Sequence, residues 1–380
     1  MKGLFGGAYD GKSVFLTGHT GFKGSWLDLW LGELGARVTG YSLPPLRSGR
    51  DLHGRLQLPS RSISGNLLEL DRLQQALSAS KPDIIFHLAA QALVKASYND
   101  PVDTFLSNAI GTMNVLEAVR RLGLSTSIVC VTTDKVYENR EWVYGYREND
   151  PLGGHDPYSA SKACAEHVIG CYRKSFFERE TDFRVNLASV RAGNVIGGGD
   201  WADDRIVVDI VKAAEAGQAV VLRSPGAVRP WQHVLEPLAG YLQLGEKLLS
   251  GDRLFCDSWN LGPGTEGVKT VEQLVLECEK SWPRVKHVLQ DPDAPRIHET
   301  QMLKLECSKA AHHLGWKPVW DFSETVAMTV LWYKDVHEGQ ALDIRQRCLA
   351  DLSRFTADAA ARGVGWTSGS SKESAPQKPA

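Results

Sequence analysis

A chain of 380 residues with a formal net charge of −2, 43% hydrophobic and 23% charged, has ordinary globular composition and room for one large domain or two coupled ones. The balanced charge, with no basic stripe, argues against a nucleic-acid partner, and no apolar run approaches the ~20 residues of a membrane span. The seven cysteines are odd in number and lack CxxC spacing. They read as free thiols in a reducing compartment, with no disulfide framework and no metal site. The glycine-rich opening from Met1 to Gly7 does not read as a signal peptide, so cytoplasm is the expected location.

In chain order, residues 12–18 form a short apolar run ending in Gly18, and a glycine-punctuated turn leads into a helical pattern from Ser25 to Leu31. Arg37–Tyr41 reads as the next strand. Strand, glycine loop, helix and strand within ~30 residues open a doubly wound parallel sheet. The alternation continues with a strand at Asp83–Leu88, a helix from Asn108 to Leu122 and a strand at Ser127–Thr132. A long helix follows from Tyr158 to Phe177, then a strand at Val185–Val190. The fold class is therefore α/β, a Rossmann-like doubly wound sheet. After residue 192 the pattern loosens, beginning with a Gly- and Asp-rich loop from Gly193 to Asp204. Residues 1–192 read as the dinucleotide-binding domain with the catalytic helix. Residues 193–366 read as a smaller, partly interleaved substrate domain. The Ser-, Lys- and Pro-rich tail from Thr367 reads as disordered.

Gly18-His19-Thr20-Gly21-Phe22-Lys23-Gly24 spells GxxGxxG between a strand and a helix. Glycines let the backbone turn tightly and approach a pyrophosphate, and the helix N-terminus offers unpaired N–H groups. The end of the second strand, Gly40-Tyr41-Ser42-Leu43, carries no acid for a ribose 2′-hydroxyl. Arg47 and Arg50 lie nearby, so the residues alone leave NAD and NADP both open.

Tyr158 and Lys162 stand four apart, on one face of a helix. A nearby ammonium favours tyrosinate, so Lys162 is expected to draw the Tyr158 phenol down from ~10. A tyrosinate can take a hydroxyl proton while hydride leaves the same carbon. The strand ending at Thr132 runs into Thr133-Asp134-Lys135, where a parallel sheet places its chemistry. Hydride transfer alone needs no added acid and base there, whereas elimination of water needs both.

Longer strings carry a family resemblance. Gly18–Trp26, Thr133–Asn139, Gly145–Tyr158, Arg191–Trp201 and Arg229–Pro237 resemble the CDP-glucose 4,6-dehydratases, over roughly Lys12 to Lys334. The resemblance implies NAD as cofactor and an internal redox cycle on a CDP-sugar. Tyr158 would deprotonate the C4 hydroxyl, Lys135 as free amine would remove the C5 proton, and Asp134 would protonate the departing C6 hydroxyl. Thr133 would orient the C4 oxygen, and Lys162 would tune Tyr158 and hold the nicotinamide ribose. The cofactor would meet Gly18–Gly24, Ser42, Asn66, Leu67, His87, Leu88, Ala89, Ala90, Asn108 and Thr132. The substrate would meet Gln91, Arg191, Asn194, Asp200, Trp201, Arg205 and Arg229. A homodimer or homotetramer is implied as well. Asn66 and Val136 depart from the family, which often has Asp and Cys there. Other readings are a 4,6-dehydratase of another NDP-hexose, an NDP-sugar 4-epimerase, or a non-catalytic redox sensor. Asp134-Lys135 speaks against the epimerase, and the retained Thr133, Tyr158 and Lys162 against the sensor.

Overall fold

The computed structural model describes residues 1–44, 50–291, 302–340 and 343–368. Its centre is a seven-stranded sheet in which every pairing is parallel. Six strands come in chain order: β1 (Ser13–Thr17), β2 (Arg37–Ser42), β3 (Arg61–Ser64), β4 (Ile84–His87), β5 (Thr126–Val131) and β6 (Val185–Arg191). The spatial order is β3-β2-β1-β4-β5-β6, with a seventh strand, Ser258–Asn260, beside β6. β4, β5 and β6 are buried along their whole length, as strands covered by helices on both faces must be. The chain reverses direction across the sheet between β1 and β4. That opens a crevice at the C-terminal strand ends, the place where such sheets bind ligands.

One apolar core lies between the sheet and helices Leu70–Ser80, Gly111–Leu122 and Pro157–Tyr172. The other core continues from helix α1 (Phe22–Glu33) and the opposite sheet face into the second half of the chain. The boundary expected after residue 192 is crossed in this way. Helix Leu235–Leu249 packs against β5 and β6, and Ser258–Asn260 pairs with Ser189–Arg191. Three short pairings lie apart from the main sheet among the described residues: Val195–Ile196 with Gln232–His233, Val228–Pro230 with Val268–Thr270, and Val220–Leu222 with His287–Leu289.

Two helices differ from their expected limits. The one expected from Asn108 is preceded by Pro101–Phe105 and a π-type turn, Leu106–Ile110. The one expected to reach Phe177 ends at Tyr172 in a second π-type turn. The first and last described segments meet: Phe5 stacks on Trp366 with ring centroids 4.9 Å apart. That contact keeps order past the expected start of the tail, since Thr367 bonds back to the Val364 carbonyl. Residues 369–380, where disorder is expected, lie outside the described residues, as does Arg47. No helix among the described residues is long and apolar enough to cross a membrane.

Candidate active site

At the crevice lies a cleft of ≈2370 Å³. That is well above the roughly 300–1,000 Å³ of a single-ligand pocket, and it leaves room for two nucleotides. Its floor at β1 is the loop Gly18–Gly24. Gly18 sits at φ 74°, with the backbone of Ala89 so close that a Cβ would lie 2.7 Å from Ala89 N. A Cβ on Gly24 would overlap the Gly18 carbonyl oxygen. The loop is thus a bare backbone cradle opening onto the N-terminus of α1. With Ser42, Asn66, Leu67, Leu88, Ala89 and Ala90 also on the wall, the residues fit a dinucleotide. β2 ends in Ser42, with no carboxylate among the described residues that follow it to Pro44. Ser42 Oγ instead pairs with His19 Nδ1 at 2.9 Å, and His19 Nε2 with Ser62 Oγ at 2.7 Å.

The cleft gathers most of the expected residues and leaves out four. His19, His87, Asn108 and Arg191 do not line it. His19 is buried behind the loop, and burial together with His53 lowers its ring to about 4. His87 bonds Thr17 and Thr112 inside the sheet layer. Asn108 acts from beneath: its side chain holds both backbone groups of Gln91, accepting from its N–H and donating to its carbonyl, and donates as well to Ser161 Oγ. Arg191 is the clearest correction. Instead of facing a substrate, it forms a 2.8 Å ion pair with Glu166 in the protein interior. Arg50 is on the wall, 2.8 Å from Glu215 and 4.5 Å over the Trp201 ring.

Past β5 the chain delivers three polar side chains in a row. Thr133 caps the short turn Asp134–Val136, accepting from Lys135 N, and donates a 3.0 Å bond to Asp134 Oδ1. Asp134 is buried, and Asn194, held at φ 48°, donates to its other oxygen at 3.4 Å. Asp156 caps helix Pro157–Tyr172 by accepting from Ser159 N, with Pro157 in the first turn. The next residues bring Tyr158 and Lys162 onto the cleft wall beside Thr133 and Lys135.

The electrostatics differ from the simple Tyr–Lys expectation. Burial raises the Tyr158 phenol to about 12, with a hydrogen bond from Thr133 pulling the other way and Asp134 adding to the rise. Lys162 is not what lowers it here. Its ammonium donates to the Val131 carbonyl at 3.2 Å, and burial brings Lys162 itself down to about 8. Lys23, also on the wall, is lowered to about 7, by burial first and by Arg205 next.

Farther out the cleft is lined by Asp200, Trp201, Arg205, Arg229 and Arg223. Arg205 pairs with Asp200 at 2.7 Å. The Trp201 indole N–H is buried and has no hydrogen-bond partner among the described residues. Arg223, at the end of Val220–Leu222, follows no motif, and only the fold places it here.

Fold and cleft together define an extended short-chain dehydrogenase/reductase. The chain belongs to the GDP-mannose 4,6-dehydratase family, whose model matches residues 15–329. A CDP-glucose 4,6-dehydratase of Salmonella typhimurium is 48% identical over 330 residues, 86% of this chain and 91% of that one. Among solved structures, a UDP-glucose 4-epimerase of Thermotoga maritima with UDP-glucose aligns with a TM-score of 0.73 at 24% identity, covering 85% of this chain and 99% of that one. A UDP-glucose 4-epimerase of Thermus thermophilus in complex with NAD gives 0.72 at 25% identity, covering 84% and 98%.

Proposed function

We propose that the protein is an NAD-dependent CDP-glucose 4,6-dehydratase, converting CDP-glucose to CDP-4-keto-6-deoxyglucose and water. The observation that carries the reading is the company of Thr133, Asp134 and Lys135 with Tyr158 and Lys162 in one cleft. It pairs an acid and a base for elimination with a Tyr–Lys pair for hydroxyl oxidation. Similarity to the Salmonella enzyme supports the nucleotide, and the NAD-bound epimerase supports the cofactor.

Gly18–Gly24, Ser42, Asn66, Leu67 and Leu88–Ala90 would hold NAD, which when bound would supply a hydride acceptor and, later in the same cycle, a hydride donor. Tyr158 takes the C4 hydroxyl proton, and Thr133 orients that oxygen. Once C4 is a ketone, the C5 proton is acidic and Lys135 removes it. Asp134 delivers a proton to the C6 hydroxyl as that group departs as water, and Lys135 afterwards returns the proton it took to C5. Because Asp134 is buried and hydrogen-bonded to Thr133 and Asn194, its direction is fixed before the sugar arrives. Arg205 and Arg229 meet the diphosphate, and Trp201 walls the base. The exposed side chains Val102, Leu106 and Ile110, spaced four apart along the run from Pro101 through the π-type turn to Ile110, support a homo-oligomer. The free cysteines support a cytoplasmic location.

The test is incubation with NAD and, separately, CDP-, dTDP-, GDP- and UDP-hexoses, followed by mass spectrometry. Loss of one water from CDP-glucose alone is the expected result. Loss from another sugar keeps the reaction and replaces the substrate. Binding without loss from any of them overturns the dehydratase reading.

A further inference from the structure

Among the arginines that line the cleft, Arg223 alone forms no hydrogen bond or ion pair with the described residues. Arg50 is held by Glu215, Arg140 by Glu138 and Arg205 by Asp200, and Arg229 donates to the Val228 carbonyl. Side chains alternate along a strand. Val221 and Arg223 therefore leave strand Val220–Leu222 on the cleft side, while Leu222 is buried on the other. Val221 is 54% exposed, an apolar surface open to a ligand. Helix Ile206–Ala216 packs against this strand. Its residues Asp209, Lys212 and Ala216 share one face and line the same cleft. Lys212 is engaged by Asp203 at 2.7 Å, whereas the Asp209 carboxylate has no hydrogen bond or ion pair among the described residues. Burial raises that carboxyl, and Arg223 is the first charge to offset the rise. An uncommitted cation and an uncommitted anion thus flank one apolar surface. Trp201, read as a wall for the base, is tied to the same helix through Arg50 and Glu215. The next strand, Val228–Pro230, carries Arg229, read as a diphosphate ligand.

We propose that Asp209 and Arg223 read the base of the nucleotide sugar, selecting cytosine over uracil across the Val221 surface. The inference rests on the reading of the cleft as a nucleotide-sugar site. Cytosine presents two adjacent acceptors, O2 and N3, beside the N4 amino donor. A guanidinium offers parallel N–H groups that match O2 and N3, and a carboxylate accepts from N4. Uracil puts N3–H where cytosine has an acceptor, and O4 where it has the amino group. Its N3–H would meet the Arg223 donors, and its O4 the Asp209 carboxylate. The pair thus repels the wrong base as well as holding the right one. Val221 lies against the ring face, as apolar walls do in ligand pockets.

Calorimetric titration of the NAD-saturated protein with CDP, UDP and GDP measures the discrimination without turnover. The wild type should bind CDP at least about tenfold more tightly than UDP. Asp209→Asn should weaken CDP and strengthen UDP, because the amide can turn its N–H groups to O4. Arg223→Gln should also narrow the ratio, since its amide carbonyl can accept from uracil N3–H. A merely structural role would weaken both nucleotides together. NAD affinity, measured separately, should match the wild type in both variants and so report an intact fold. A CDP-to-UDP ratio unchanged in either variant overturns the proposal. So does a wild type that does not distinguish the two, or one that prefers GDP, whose guanine also offers acceptors to an arginine. A wild type that selects CDP through these residues but removes no water from CDP-glucose overturns the dehydratase reading and leaves the base reading standing.

Discussion

Gly193 lays its bare Cα against the Asp134 carboxylate, so closely that a Cβ there would overlap Oδ2. The acid proposed for elimination is therefore aimed by three neighbours: Thr133, Asn194 and the absent side chain of Gly193. Gly193→Ala should displace Asp134 and lower kcat by about 100-fold, the scale of a lost general acid, while CDP-glucose still binds. Asp134→Asn should show a similar loss. The double variant should be little worse than either, because both changes remove one interaction. Steady-state kinetics with calorimetric binding checks this, and additive losses would separate Gly193 from Asp134.

Gly24→Ala tests the cradle. The new methyl would meet the Gly18 carbonyl oxygen, which is backbone and cannot rotate away. The loop must open, so NAD affinity should fall at least about tenfold, or ~1.4 kcal/mol. Circular dichroism should show the helices intact. Unchanged NAD affinity would remove this loop from the binding site.

The sheet was legible because β1, β4, β5 and β6 are apolar runs closed by glycine or polar residues. Their periodicity needs no knowledge of the rest of the chain. Ser258–Asn260 was not legible: three residues carry no period, and only the exposed edge of β6 makes them a strand. The cleft followed the same division. Motif residues such as Thr133, Tyr158 and Lys162 arrive by local spacing, whereas Arg223 arrives by tertiary folding alone. Arg191 misled because an arginine at a strand end reads equally as anion ligand or ion pair. What decides it is Glu166, which is distant in sequence and bonded to Arg191 only across the fold.

Cofactor binding should depend on pH in a definite direction. Lys162 is lowered from the usual 10.5 to about 8 by burial, so in the folded apoprotein its ammonium is present below that value and lost above it. If that ammonium holds the nicotinamide ribose, NAD affinity should be higher below pH about 8 and fall as pH rises through it. Lys162→Met should bind weakly with no inflection there. Lys23 titrates lower, near 7, and is held there partly by Lys162, so Lys23→Met and the double variant are titrated alongside to separate the two lysines. Calorimetric titration at several pH values reads this directly.

Val102, Leu106 and Ile110 form an exposed stripe along the run from Pro101 to Ile110, with Tyr98 exposed on the helix before it, and a run of apolar side chains of that kind marks a contact surface. Val102→Asp with Leu106→Asp should yield a monomer in sedimentation velocity, against a dimer or tetramer in the wild type. Tyr98 is left in place because it also lines the cleft. A wild type that sediments as a monomer would leave the stripe without a second copy to cover it.

Glu236 gives the fold a pH dependence of its own. It is buried at the start of helix Leu235–Leu249, and its carboxyl accepts from Val319 N and Trp320 N at 2.9 and 2.8 Å. Burial raises it from 4.5 to about 8, against the pull of those two backbone bonds. The sign follows from proton counting. Between pH 4.5 and about 8 the folded chain holds a proton that the unfolded chain has released, so stability falls as pH rises through that window. Glu236→Gln is neutral at every pH and should remove this contribution to the slope while keeping an acceptor for both backbone donors. Urea midpoints at pH 5.5 and pH 8 would show a smaller difference in the variant than in the wild type. An equal difference in the two proteins would mean that Glu236 is already ionised in the folded state at neutral pH, held so by Val319 and Trp320.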